Sequence, residues 1–354
     1  MIVEHRQLGP ARVSFGDALV EAVLPRALGD AKSVLVVTTG SAVKNPKLLE
    51  RVRAPLRDRD VTVVSEIKEH VPVETLRALG QRRVDAIVSL GGGSPIDAGK
   101  LAVAMAATGL APEQLGSFTP AAPLGAAPIH VALPTTLSGA ELSPTAGFTV
   151  NGRKTGLFHP SLSPTWVLAD ARLALETPLP LWLSTGVRSI DHAVEGLLAD
   201  GAHPLSDATA REGLPRLMRA LETAHTSPDS LAARHEAQLA AWLCYQLPME
   251  SQTGPSHALG KRLGASFGIP HGFTSCLVLP AVLDALTGPK LAALEQLLGG
   301  APGSVLRAFI TRLGLSRRLS DFGVGETQLA AVRSDFSHSA LAASQLSKVL
   351  DAIQ

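Results

Sequence analysis

Cysteine, aromatic residues and long apolar runs are all scarce in this sequence. Two cysteines, Cys244 and Cys276, stand among 354 residues with no CxxC pair. No disulfide framework can be built from them, and a reducing compartment is the expectation. Aromatic residues make up 4% of the chain, and at a net charge of +1 no basic cluster interleaved with aromatics occurs. That argues against nucleic acid as a partner. No stretch approaches eighteen uninterrupted apolar residues, which argues against a membrane span. The opening MIVEHRQLGP lacks the basic-then-apolar pattern of a secretory leader. A cytoplasmic protein acting on a small-molecule substrate is therefore expected. Internal repeats and low-complexity linkers are missing too.

What remains is an ordinary globular composition, 45% hydrophobic and 18% charged, in a length that accommodates two domains with separate cores. In the first half, β-branched runs at Ser33–Thr39, Val61–Ile67, Val84–Leu90 and Ile129–Leu133 alternate with helical patterns. A helical run opens at Phe15-Gly16-Asp17 and closes at Gly29, and others span about Asn45–Arg57 and Pro72–Gln81. The Pro- and Ala-rich segment 111–127 reads as a loop. Thr145–Val150 and Thr165–Leu168 read as strands flanking an Asn151-Gly152-Arg153-Lys154 turn. This alternation predicts an α/β fold with a doubly wound parallel sheet over residues 1–170. Beyond Asp170 the β-branched runs vanish, and Leu/Ala-rich helical periodicity predicts an all-α domain over 171–354.

One stretch organises the first half: VDAIVSLGGGSPIDAGKLAV, residues 84–103. A buried-strand pattern ends in Gly91-Gly92-Gly93 and turns directly into a helix. Ser94, Pro95 and Asp97 read as hydroxyl N-cap, first-turn proline and third-position carboxylate. Bare N–H groups at a helix start, with no Cβ atoms in the way, form an anion cradle. The same glycines would also serve a plain βα turn. Thr38-Thr39-Gly40 ends another strand, and Pro134-Thr135-Thr136-Leu137-Ser138 clusters hydroxyls at a third. Ligands of open parallel sheets bind at such strand ends.

The helical half carries a polar constellation. Arg188 and His192 are four apart on one helix face, with Glu195 three further on. His257 and Lys261 are again four apart, and His271 follows at a Pro-His-Gly turn. Three histidines among small and apolar residues point to one shared polar site.

Four motifs in order, GGGSPIDAGK, PTTLSGAE, TGVRSIDHAVEG and GPSHALGKRLGASFGIPHG, resemble the iron-containing alcohol dehydrogenase family. Within it, the short length and PTTLSGAE are most similar to the maleylacetate reductases. The resemblance implies a Rossmann-like NAD(P) domain, a helical domain, a cleft where hydride moves, and a homodimer. It assigns Gly92, Gly93 and Ser94 to the pyrophosphate, Thr135, Thr136 and Ser138 to phosphate and ribose, and Lys154 to the nucleotide site. Gly91, Thr38 and Asp97 join these as candidate cofactor residues. No carboxylate follows Thr38-Thr39-Gly40-Ser41, so NADP is permitted as well as NAD.

Two departures from the family pattern bear on mechanism. Metal-dependent members bind a divalent ion with an Asp four residues before a His, plus two His fourteen apart. His192, His257 and His271 match the histidines, but the Asp position is Arg188. Asp191, next to His192, points about 100° round the helix and is no substitute. A guanidinium about 4 Å from a divalent cation costs roughly 8 kcal/mol at an effective dielectric near 20. The second departure is Lys261, where members often carry a further His. The expectation is therefore a metal-free reductase in which Arg188 takes the cation's place. His257, His271 and Lys261 are candidate proton donors, Lys261 with a pKa lowered by Arg188 nearby. The alternatives are a zinc or iron dehydrogenase using His192, His257 and His271, a dehydroquinate synthase-like lyase, and a repurposed scaffold that has lost redox activity.

Overall fold

The computed structural model describes residues 9–80, 82–117, 126–150, 153–199, 203–245, 254–338 and 340–354. Gln81, Asn151, Gly152 and part of the expected 111–127 loop lie outside them. The chain divides into two compact units, Gln7–Thr177 and Pro178–Gln354.

The first unit is built on a six-stranded, all-parallel sheet. Its strands are β1 (Arg12–Gly16), β2 (Ser33–Val37), β3 (Asp60–Val64), β4 (Ala86–Gly91), β5 (Ile129–Pro134) and β8 (Trp166–Asp170), in the order β1-β8-β5-β4-β2-β3. Side chains alternate between faces. Val34, Val36, Val88, Leu90, Val131 and Leu133 enter one core. Leu35, Val37 and Ile87 enter the other. Both faces are covered, which is why these strands read as continuous apolar runs.

Helices α1 (Pro46–Arg53), α2 (Val73–Leu79) and α3 (Gly93–Thr108) follow β2, β3 and β4. Asn45 caps α1 by accepting from Leu48 N–H at 3.2 Å. Where α3 crosses the sheet, a Cβ on Gly99 would stand 2.8 Å from His130 Nε2 and 3.0 Å from Ser89 Cβ. Glycine is what lets the helix lie directly on β4 and β5.

Two expectations are corrected here. The helical run does begin after this point, as two short helices at Leu19–Ala22 and Leu24–Leu28 closed by Gly29, but Phe15 and Gly16 do not open it; they end β1, which pairs residue for residue with Trp166–Asp170. Their partner is about 150 residues away, beyond the reach of local periodicity. Thr145–Val150 (β6) pairs with a strand absent from the sequence reading, β7 (Arg153–Phe158), as an antiparallel hairpin. Lys154 is thus a strand residue, and Trp166–Asp170 belongs to the main sheet.

The second unit is helical. It contains α4 (Leu179–Leu198), α5 (Pro204–Thr226), α6 (Leu231–Cys244), α7 (Pro255–Phe267), α8 (His271–Ala285), α9 (Pro289–Leu298), α10 (Pro302–Arg312), α11 (Glu326–Asp335) and α12 (Ala343–Ile353). Leu259, Leu263, Val278, Val282, Leu329, Val349 and Leu350 form one of its cores. A Cβ on Gly272 would lie 2.7 Å from Ser184 Oγ, so α8 packs on α4 at glycine distance. No helix among the described residues is long and apolar enough to cross a membrane.

Buried His130, 2.9 Å from Ser89 Oγ, is pushed down to about 3 by burial and by the Lys100 charge. An unfolded histidine takes its proton near 6.5, so stability is lost as pH falls from 6.5 towards 3, on the order of 4 kcal/mol in all. His130→Gln is expected to remove that part of the acid sensitivity, read from urea midpoints across this pH range.

Candidate active site

In the α/β unit the chain runs outward from β2 to β3 on one side and from β4 through β5 to β8 on the other. The C-terminal ends of β2 and β4 therefore flank the topological switch, where open α/β sheets bind their ligands. Thr38 braces the two ends. Completely buried, it donates its hydroxyl to Leu90 O at 2.9 Å. As a ligand contact it is displaced by that role.

β4 leaves the sheet through Gly91, whose φ of +138° suits glycine alone. α3 begins at Gly93 with Gly92 as its N-cap and no capping side chain. This corrects the sequence reading: Ser94 lies one residue inside the helix, and Asp97 in its second turn. Asp97 accepts from Gly147 N–H at 3.0 Å and lies 3.7 Å from Lys100 Nζ. It ties α3 to β6 and caps nothing. The N–H groups of Gly92, Gly93 and Ser94 consequently have no intrahelical acceptor, Pro95 has none to offer, and the first turn carries no acid.

A second loop closes over this one. Thr135 N–H donates to Gly91 O at 2.9 Å, and Thr136 Oγ1 lies 3.2 Å from Ser138 Oγ. A Cβ on Gly92 would come within 3.1 Å of Thr136 Cγ2, and one on Gly93 within 3.5 Å of Ser138 Oγ. Gly91, Gly92, Gly93, Ser94, Thr135, Thr136 and Ser138 are thus brought together as a cradle of donors that side chains would fill. Lys154 reaches the same neighbourhood, its Cε 3.9 Å from a Gly147 Cβ position. Behind it Lys100 is fully buried and donates to Ala140 O and Thr145 O. Burial raises the neighbouring Glu141 carboxyl to about 7.

In the helical unit, α4 presents Arg188, Asp191, His192 and Glu195. Asp191 is completely buried. The rotation that turns it away from His192 turns it towards α7 and α8. Its Oδ2 accepts from Ser275 Oγ at 2.7 Å and Ser256 Oγ at 3.1 Å. The same oxygen lies 3.3 Å from His257 Nδ1 and 3.8 Å from an Arg188 terminal nitrogen. Arg188 also donates to Ser275 Oγ at 3.3 Å. Glu195 Oε1 accepts from the Ser256 and His257 N–H groups at 2.6 and 3.3 Å, capping α7, and its Oε2 sits 2.7 Å from His257 Nδ1. Gly254 makes this approach possible, since a Cβ there would stand 2.7 Å from Glu195 Oε2.

The cluster separates its two histidines. Burial and the Arg188 charge work against a protonated His257, but the carboxylates of Asp191 and Glu195 outweigh them and raise it above its ordinary value. Its ring stacks at 4.7 Å on His192, which burial, His257 and Arg188 hold well below the usual range. Burial would raise Asp191, yet His257, Arg188 and the Ser275 hydroxyl bring it below normal. With Nδ1 facing carboxylates, His257 is left to exchange protons through Nε2. That atom is buried and has no hydrogen-bond partner among the described residues.

Sequence reasoning placed Arg188, His192 and His257 correctly in one cluster. It set Asp191 aside and did not name Ser256, Ser275 or Tyr245, whose ring meets His192 edge-on at 4.7 Å, as site residues. A signal for Asp191 existed: a buried arginine on a helix calls for an anion at i+3 or i+4. Lys261 is exposed on α7 and is not part of this cluster. His271 opens α8, partly exposed beside Gly264.

The sequence profile of the iron-containing alcohol dehydrogenases matches residues 10–171, and that of the family's C-terminal domain matches 182–348. Maleylacetate reductase of Rhizobium sp. strain MTP-10005 is 33% identical over 332 residues, 91% of this chain and 88% of that protein. The chain belongs to the iron-containing alcohol dehydrogenase family. It is an NAD(P)H-dependent oxidoreductase similar to the maleylacetate reductases. The crystal structure of maleylacetate reductase from Agrobacterium tumefaciens superposes with a TM-score of 0.83 at 28% identity, covering 100% of this chain and 98% of that one. An iron-containing alcohol dehydrogenase from Thermotoga maritima superposes with a TM-score of 0.83 at 26% identity, covering 99% of each chain.

For an iron-containing alcohol dehydrogenase, the donor set is unusual. His192, His257 and His271 do not form a ligand trio. Among the described residues, the group whose ligand atoms all lie within 4.8 Å of one another is Asp191, Glu195 and His257. Those atoms are already engaged, Asp191 Oδ2 by two hydroxyls and Glu195 by two backbone N–H groups and an imidazole. With His257 protonated, two cations face two anions and the cluster is neutral. A divalent ion there would have Arg188 as its neighbour, so the residues do not fit the family's metal. The glycine cradle, by contrast, fits a dinucleotide pyrophosphate, having donors and no carboxylate in the first turn.

Gly92→Ala puts a Cβ against Thr136 in that cradle. A folded protein with NAD(P)H affinity weakened about tenfold or more is expected, on the order of 1.4 kcal/mol, read by titrating nucleotide fluorescence.

Proposed function

We propose that this chain reduces a carboxylate-bearing carbonyl or conjugated enoate of the maleylacetate type, with Arg188 in place of a divalent metal. The observation that carries the proposal is the anchored guanidinium at the family's ligand position. Arg188 is held by Ser275 and Asp191 while 16% of its side chain stays accessible. A planar guanidinium pairs bidentately with a carboxylate or polarises a carbonyl oxygen. The 33% identity to a maleylacetate reductase over 91% of the chain supports the substrate class.

On this reading Gly91, Gly92, Gly93, Ser94, Thr136 and Ser138 hold the nucleotide, and Lys154 adds positive charge beside them. Bound NAD(P)H supplies the hydride. As hydride reaches the substrate, negative charge grows on the oxygen that faces Arg188, and a fixed cation lowers the energy of that state. His257, protonated between two carboxylates, donates through Nε2 to the reduced substrate, and neutral His192 packs its ring in place. NADP is accepted beside NAD, because Thr38-Thr39-Gly40-Ser41 brings no carboxylate to the ribose. We also propose a homodimer, as the resemblance implied, acting in the cytoplasm, as the scarcity of cysteine suggests.

Four measurements check this. NADH or NADPH oxidation is expected with maleylacetate; its absence across a panel of keto acids and quinoid enones overturns the reading. Activity is expected to survive dialysis against EDTA, with less than stoichiometric zinc or iron in the purified protein; one ion per chain, lost together with activity, sinks the metal-free site. Arg188→Lys keeps the charge but not the fork, and a rise in KM of about tenfold or more is expected. Because His257 must be protonated, kcat/KM should fall as pH rises through its raised pKa.

A further inference from the structure

The function proposed above accounts for Arg188 but not for what keeps an accessible guanidinium aligned in a protein interior. A long side chain with five donors has many resting places, and a cation beside a protonated imidazole is repelled from it. Both problems converge on one atom. Asp191 Oδ2 receives the hydroxyls of Ser256 and Ser275, at 3.1 and 2.7 Å, and faces His257 Nδ1 at 3.3 Å and Arg188 at 3.8 Å.

The direction of the hydrogen bonds is determined. The Ser275 hydroxyl has one proton, and the carboxylate oxygen 2.7 Å away can only accept it. The lone pairs of Ser275 are then turned to the Arg188 N–H at 3.3 Å. Guanidinium, hydroxyl and carboxylate thus form a chain with a single polarity, and His257 meets its end. Asp191 Oδ1, by contrast, is buried with no hydrogen-bond partner among the described residues. The carboxylate is oriented to spend one oxygen on this cluster.

We infer that Asp191 is the positioning residue of this site, a carboxylate that replaces the family's metal ligand three residues along the same helix and orients Arg188, through Ser275, together with His257. The assignment rests on the functional reading of Arg188 given above. The negative charge that other members direct at a metal ion is here directed at a guanidinium. Arg188 and Asp191 are complementary in charge, 3.8 Å apart on one helix, and removing the carboxylate would weaken the pairing of a largely buried guanidinium. Asp191 touches no substrate on this assignment; it acts through the two residues that do.

The experiment uses the full-length enzyme with maleylacetate and NADH. Arg188→Ala is expected to lose about 100-fold or more in kcat/KM and to regain at least tenfold when millimolar guanidinium chloride is added. Asp191→Asn, which keeps the size of the side chain, is expected to lose about 10- to 100-fold, mainly in kcat, with the KM for NADH unchanged. In the double variant Arg188→Ala/Asp191→Asn, guanidinium is expected to restore nothing, since no carboxylate holds it. Rescue of the double variant equal to that of Arg188→Ala overturns the inference, as does Asp191→Asn at the parental rate beside an impaired Arg188→Ala. Arg188→Ala at the parental rate overturns the functional reading and this inference with it. Where Asp191→Asn fails to fold, Ser275→Ala removes the linking hydroxyl and carries the same expectations: a 10-fold or greater loss in kcat, and no guanidinium rescue when combined with Arg188→Ala.

Discussion

A carboxylate oxygen with no exposure to water, Asp191 Oδ2, ties three helices of the helical unit together. Taking a charge out of water costs several kcal/mol unless it is paired and hydrogen-bonded. Here the cost is offset by two hydroxyls, an imidazole and a guanidinium drawn from α4, α7 and α8. Much of the local architecture follows from making that meeting possible. Gly254 leaves room for Glu195 to cap α7, and Gly272 lets α8 approach Ser184 on α4. Small residues where helices cross are what bring short polar side chains such as Ser256 and Ser275 within reach of a common acceptor.

A tethered guanidinium differs from a bound metal ion in ways that suit it to particular chemistry. It has half the charge, cannot be lost to a chelator, and presents directed N–H donors in a plane. It therefore favours planar, delocalised oxygens, carboxylates and enolates, over the alkoxide of a simple alcohol. The family membership shown by sequence and fold concerns the frame. The balance of two cations against two carboxylates is a property of this chain's own residues, and it is what sets the proposed reaction apart from metal-assisted alcohol oxidation.

The α/β unit shows a division of labour at its switch point. Thr38 and Thr135 spend their hydrogen bonds on bracing β2, β4 and β5. The N–H groups of Gly92, Gly93 and Ser94 have no intrahelical acceptor, and it is these that we propose meet the nucleotide. Lys100 and Glu141 are buried behind them. Apolar side chains on both faces of the sheet pack against the flanking helices and fix where β4 ends and α3 begins.

Much of this was legible in the chain itself. Periodicity of β-branched residues located β2 to β6 and β8, because each buried strand must be apolar along its own length. The glycine loop was legible because only a residue without Cβ tolerates that close approach. Arg188 declared the departure from the family, and the spacing of His192 and His257 placed them on inward helix faces. Other features were decided by tertiary structure. β1 exists only because β8 pairs with it, and the helix start moved from Ser94 to Gly92 because backbone geometry, not a side chain, ends β4. Lys261, equally spaced on paper, lies on the exposed side of α7. Asp191 looked misdirected on its own helix. Which way a side chain points is set by one helix, but what it meets is set by the helices packed against it, and those contacts join residues 65 to 87 positions apart.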